Sequence, residues 1–159
     1  MTTKSISAPP SLGRALNLAA GKGSAVCSRL LEPHGLSLAQ WAVLSCLWRN
    51  GPLGVKDIAE LTGNEPSAAS RIVERMIAGG LVVRRPDEQD RRAVIVDLGP
   101  RGEALRPLRT IYEEVNAVLT ADLSEQEAQL LFDLLERVER AGRDWLADRG
   151  RAPEKRNER

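Results

Sequence analysis

The sequence predicts a mainly α fold with a small β component (α+β), and three observations predict it. Apolar residues recur at helical spacing along most of the chain. Between residues 81 and 98 the pattern switches to that of a strand pair. Hydrophobic residues make up 42% of the chain but aromatics only 3%, so the core must be built from Leu, Val, Ala and Ile, which suits long helices better than a sandwich or barrel.

Residues 1–10 are small, polar and Pro-containing and read as a frayed tail. Residues 11–36 predict a helix carrying Leu12, Leu16, Ala19, Ala20, Val26, Cys27, Leu30 and Leu31, broken by Pro33-His34-Gly35. Gly13, Gly21 and Gly23 each cost this helix about 1 kcal/mol against Ala, but they let another helix approach closely. Ser37-Leu38-Ala39-Gln40 has the spacing of a capping box, and the helix it opens places Trp41, Leu44, Leu47 and Trp48 on one face before stopping at Asn50-Gly51-Pro52. A short helix with Val55, Ile58, Ala59 and Leu61 follows and closes at Thr62-Gly63. Pro66 then sits in the first turn of a further helix to Ala78, with Ile72, Val73, Met76 and Ile77 facing inward.

Gly79-Gly80 ends that helix. Leu81–Arg85 and Ala93–Leu98 read as two strands joined by the charged connection Pro86–Arg92, a β-hairpin with a polar tip. From Gly99-Pro100 another helix is expected to about Thr120, kinked or started late by Pro107. Ser124-Glu125-Gln126-Glu127 is a second capping box, opening a helix with the stripe Leu131, Leu134, Leu135, Val138, Ala141 and Trp145. Residues 149–159 are charged and are expected to be disordered.

The net charge of +1 decides nothing about partners, but its distribution is informative. Residues 1–56 carry Lys4, Arg14, Lys22, Arg29, Arg49 and Lys56 against Glu32 alone, while the last third alternates both signs as solvated helix faces do. The N-terminus lacks the apolar region of a signal peptide, and no stretch approaches the ~20 apolar residues of a membrane helix, so a cytoplasmic protein without a membrane partner is expected. Cys27 and Cys46 lie in apolar helical patterns without metal-ligand spacing and read as small buried hydrophobes in a reducing compartment. The competing reading, a redox-sensing thiol at either one, needs exposure and a lowered pKa.

The helices flanking Thr62-Gly63-Asn64-Glu65 form a helix-turn-helix candidate, whose second helix would enter a major groove by its N-terminal end. Ser67 and Ser70 can bond phosphates or bases. Ala68 and Ala69 allow close approach or touch a thymine methyl. Arg71 can fork onto guanine or a phosphate, and Arg75 should face the backbone. An ordinary surface αα-hairpin is the competing reading. The hairpin that follows tips the balance, because Asp90, Arg91 and Arg92 at its tip would place an arginine on a stiff projection suited to a minor groove.

Leu38–Leu44, Asp57–Gly63, Ser67–Val73, Gly80–Arg85 and Asp87–Leu98 together resemble the MarR family of winged helix-turn-helix regulators, over about residues 12–146. Asp90-Arg91-Arg92 before an apolar strand matches the Asp-x-Arg signature of that family. The resemblance implies a homodimer on a pseudo-palindromic operator in double-stranded DNA, with Ser67–Arg71 in the recognition helix, Arg92 in the minor groove and Asp90 supporting it. Its departures are Gly99, where the family usually has Thr, and Pro107 inside the fifth helix. The organisation expected is a tail (1–10), an N-terminal dimerisation helix (11–36), the winged DNA-binding region (37–99), C-terminal dimerisation helices (100–148) and a second tail (149–159).

Dimerisation also has a physical basis. Leu12, Leu16, Leu131, Leu135, Val138 and Trp145 form apolar stripes that a small winged region cannot cover. A two-fold dimer then predicts half-sites about 10 base pairs apart. The resemblance further implies a small aromatic or phenolic acid, or its CoA thioester, as an effector that releases a repressor. Candidate contacts are His34, Trp41, Trp48 and Arg49, although Trp41 also reads as plain core and His34 as a solvated turn residue. No catalytic residue, metal ligand set or cofactor motif is expected: there is one histidine, no Gly-rich phosphate loop and no Gly-x-Ser-x-Gly. The remaining alternative is a winged protein-interaction module with no operator of its own.

Overall fold

A computed structural model describes residues 11–87 and 93–150. The chain forms two units, one ending at Val118 and one beginning at Leu119.

In the first unit, α1 (Leu12–Leu31) starts at Ser11, whose hydroxyl accepts from the Arg14 amide at 3.3 Å, and runs into a 3₁₀ turn (Glu32–His34) closed by Gly35 at φ +63°. Of its apolar residues only Cys27 and Leu31 are buried. α2 (Leu38–Asn50) opens with the expected capping box: the Gln40 amide donates to Ser37 Oγ at 3.3 Å, and the Ser37 amide donates to Gln40 Oε1 at 2.9 Å. It buries Val43, Leu44, Leu47 and Trp48.

The loop after α2 holds a contact that no local pattern announces. Leu53 pairs with the second wing strand through two main-chain bonds, Leu53 N–H to the Val96 carbonyl (3.0 Å) and Val96 N–H to the Leu53 carbonyl (2.8 Å). α3 (Val55–Thr62) and α4 (Pro66–Ala78) follow. Strands β1 (Val82–Pro86) and β2 (Val94–Leu98) pair antiparallel, with Val82 opposite Leu98 and Arg84 opposite Val96.

The helix expected from Gly99 to about Thr120, kinked or started late by Pro107, is three pieces: α5 (Pro100–Ala104), a 3₁₀ turn (Arg106–Thr110) and α6 (Ile111–Leu119). Pro107 is the physical reason. It has no N–H to donate to an i−4 carbonyl, and the chain tightens into an i+3 bond from the Leu108 amide to the Leu105 carbonyl at 2.9 Å. The core brings together Leu31, Leu44, Leu47, Ile58, Val73, Met76, Leu81, Val82 and Val96.

The second unit is dominated by α7 (Glu125–Gly150), capped by Ser124 and Glu127 as the sequence suggests: the Glu127 amide donates to Ser124 Oγ at 3.3 Å, and the Ser124 amide donates to Glu127 Oε2 at 2.8 Å. No helix among the described residues is long and apolar enough to cross a membrane.

Candidate nucleic-acid interface and ligand cavity

The α3–α4 turn is fixed by local chemistry. Gly63 adopts φ +64°, where a β-carbon would be strained, and the next amide, Asn64 N–H, reaches back to the Ala59 carbonyl at 2.9 Å. Thr62 Oγ1 donates to the Ile58 carbonyl (2.7 Å) and accepts from the Asn64 amide group (2.8 Å). α4 therefore leaves the turn at a defined angle to α3. Its far end closes in the same way, with Gly80 at φ +68° and Leu81 N–H bonded to the Met76 carbonyl at 2.9 Å.

α4 presents Ser67, Arg71, Glu74 and Arg75 to solvent, with Ala68 and Ser70 half-buried beside them. Ala69 does not belong to this face. It is fully buried, because residue 69 shares the inward stripe with Ile72, Val73 and Met76, so it contacts the core and cannot touch a base. Arg75 Nε donates to the Arg71 carbonyl at 3.3 Å, and among the described residues neither arginine pairs with a carboxylate. Two cations thus stand on the outer face of a helix whose N-terminal turn is open, which suits a polyanion. Asp90, Arg91 and Arg92, expected at the wing tip, lie outside the described residues. The wing's base is braced by Arg85 Nε on Asp97 Oδ2 (2.7 Å), while Arg84 reaches Glu74 of α4 (2.6 Å).

A cavity of about 320 Å³ opens beside α2, lined by Trp41, Ser45, Trp48, Arg49, Arg109, Thr110 and Tyr112. Three of the effector candidates meet here. His34 does not; it is exposed on the 3₁₀ turn after α1. Both indoles are held by main-chain acceptors. Trp41 Nε1 donates to the Leu108 carbonyl (3.0 Å), and Trp48 Nε1 donates to the Gly102 carbonyl (3.1 Å). Arg49 and Arg109 supply positive charge at the exposed rim. Ser45 follows from the i, i+4, i+7 spacing of residues 41, 45 and 48 on one helix face. Arg109, Thr110 and Tyr112 carry no sequence signal, since only packing brings that segment to α2.

Cys27 is buried and Cys46 half-buried, and neither forms a disulfide. Burial pushes both thiols up; Arg49 pulls Cys46 partly back. No cluster of metal-ligating side chains occurs among the described residues.

The family model for the MarR family matches residues 36–94, from just before α2 into β2. The HTH-type transcriptional regulator YfiV of Bacillus subtilis is 33% identical over 109 residues, covering 67% of each chain. The chain belongs to the MarR family. Two solved structures share its fold. A cysteine-to-serine variant of MarR from E. coli, complexed with operator DNA, is 25% identical, with 80% of this chain and 92% of that chain covered and a TM-score of 0.74. BpsR of Bordetella bronchiseptica, whose DNA binding is regulated by 6-hydroxynicotinic acid, is 25% identical with 83% and 98% covered and a TM-score of 0.74. This chain is accordingly a MarR-type DNA-binding transcriptional regulator, and the family assigns it no catalytic role.

Proposed function

We propose that this MarR-family protein is a cytoplasmic, homodimeric repressor that releases a pseudo-palindromic operator when a small aromatic acid enters the α2 cavity. The observation that carries the ligand class is the pairing of two indole walls with two arginines, Arg49 and Arg109, that have no carboxylate partner among the described residues. An aromatic ring would lie against Trp41 and Trp48, and its carboxylate would face the guanidiniums. A volume of about 320 Å³ takes a one-ring acid. The CoA thioester of such an acid would leave its nucleotide portion outside. That BpsR responds to a hydroxylated pyridine carboxylate supports the class.

On the DNA side, Ser67, Ala68, Ser70 and Arg71 would read the major groove and Arg75 would contact the backbone. By the family resemblance, Arg92, flanked by Asp90 and Arg91, would enter the minor groove. The dimer would cover side chains that stand open in this chain: Leu12 is 62% exposed, Leu131 and Leu135 each 40%, and Trp145 55%, with Leu16 and Val138 half-buried beside them. Nothing lies within 4 Å of a β-carbon built at Gly13 or Gly21, which leaves α1 room for a closely packed partner helix. The raised thiols argue against Cys27 or Cys46 as an oxidant sensor, since the thiolate is the reactive form.

Gel shifts on the DNA upstream of the protein's own gene test the first half of this reading, and affinity should fall steeply with salt. Calorimetry with a panel of hydroxybenzoates tests the second. Wild-type protein should give heat and lose DNA, and Arg109→Ala should give neither at the same concentrations. Absent heat across the panel, with unchanged DNA binding, would exclude the aromatic-acid effector.

A further inference from the structure

We propose that Trp48 is a positioning residue that couples the cavity to the DNA-reading elements through the carbonyl of Gly102. The inference rests on reading the cavity as a ligand site, but its central test needs no ligand.

The start of α5 lies against the end of α4 with no room between the two main chains. Gly99 N–H donates to the Leu81 carbonyl (2.9 Å), and Arg101 N–H donates to the Gly80 carbonyl (3.3 Å). A β-carbon at residue 99 would stand 2.6 Å from the Gly80 oxygen, and one at residue 102 would stand 2.1 Å from the Leu81 oxygen. The Arg101 guanidinium adds a bond to the Gly79 carbonyl at 3.3 Å. Residues 79–82 are where the reading helix ends and the first wing strand begins. Whatever moves Gly102 therefore moves the root of both DNA-contacting elements, because close-packed main chain transmits a shift and does not absorb it.

Trp48 holds Gly102 in place. The residue is 9% exposed, it forms part of the cavity wall, and its N–H is committed to the Gly102 carbonyl. A ligand that binds better to a turned indole would shift the population toward a state with that bond broken. Trp41 makes the comparable bond to Leu108, six residues further along, so its N–H anchors the cavity's other wall at a carbonyl outside the α4–α5 main-chain contact.

The test is hydrogen exchange on the full-length protein, ligand-free, comparing wild type, Trp48→Phe and Trp41→Phe. Phenylalanine keeps an aromatic ring but removes the donor together with the volume of the second ring, a loss that the Trp41→Phe control shares. Trp48→Phe should speed exchange about 5- to 10-fold at residues 79–82 and 99–102 while the amides of α3 keep wild-type protection, and should weaken binding to the upstream DNA by a similar factor. Trp41→Phe should leave residues 79–82 unchanged. A folded Trp48→Phe protein with wild-type exchange at 79–82 overturns the coupling, as does uniform loosening that includes α3. If Trp48→Phe fails to fold, Gly99→Ala tests the main-chain link itself: φ −84° there suits any residue, the added carbon crowds the main chain of Gly80 and Leu81, and unchanged protection at 79–82 overturns the proposal. The hydroxybenzoate panel separates the two readings. If every member leaves wild-type DNA binding intact while Trp48→Phe still loosens 79–82, the ligand class is wrong and the coupling stands.

Discussion

Glu74 on the outer face of α4 and Arg84 on β1 meet at 2.6 Å, an ion pair that ties α4 directly to the wing. The two side chains are 56% and 38% exposed, so solvent and salt screen much of the attraction. A double-mutant cycle with Glu74→Gln and Arg84→Gln, read by urea unfolding, should give a coupling of about 0.5 kcal/mol that fades at high salt. A coupling several times larger, insensitive to salt, would mean that the pair is a structural element of the wing.

Arg71 and Arg75 lie one turn apart but should fail differently. Arg71→Ala should cost about 1–3 kcal/mol on the cognate site and much less on unrelated DNA, because a base contact carries sequence information. Arg75→Ala should weaken binding evenly on all sequences and reduce the salt slope by about 1, as expected for one lost phosphate contact. Salt titrations by gel shift on cognate and scrambled duplexes distinguish the two patterns.

Gly102→Ala should destabilise the protein by about 1–3 kcal/mol or more, since the new carbon meets the Leu81 oxygen at 2.1 Å and main chain has to move to accept it. Gly142→Ala, on α7 with nothing within 4 Å of its β-carbon in this chain, should stabilise the isolated helix slightly and harm only the dimer. Thermal unfolding at two protein concentrations separates those effects.

The cysteines should react slowly. Because burial favours the neutral thiol, each ionises less readily than an unfolded cysteine, whose pKa is about 8.5. An aromatic disulfide reagent at pH 8 should label native protein far more slowly than urea-unfolded protein. The sign for stability follows: the contribution is complete at neutral pH and is lost as pH rises through the unfolded value toward the folded one. Native labelling as fast as unfolded would restore a sensing role for Cys46, the less buried of the two.

What the sequence could reveal was set by distance along the chain. Ser37 with Gln40, and Ser124 with Glu127, are read three residues apart and form the caps their spacing implies. The Gly63 and Gly80 turns are local in the same sense. The Leu53–Val96 bridge joins residues 43 positions apart, and nothing in either segment announces the other. The same holds for Arg109 and Tyr112 in the cavity wall. Ala69 shows a different limit: small residues on a helix start suggested contact with bases, while the helical period assigned one of them to the core. Gly99, where the family usually carries Thr, was legible as a departure but not as a consequence. Only the 2.6 Å approach to Gly80 explains why this chain keeps a bare α-carbon there.

The placement of the tryptophans makes the protein its own optical instrument. Two of its three indoles, Trp41 and Trp48, border the cavity, and the third, Trp145, sits on α7. Replacing Trp145 with phenylalanine would confine tryptophan emission to the cavity lining, so occupancy could be followed by quenching, without labels and in the presence of DNA.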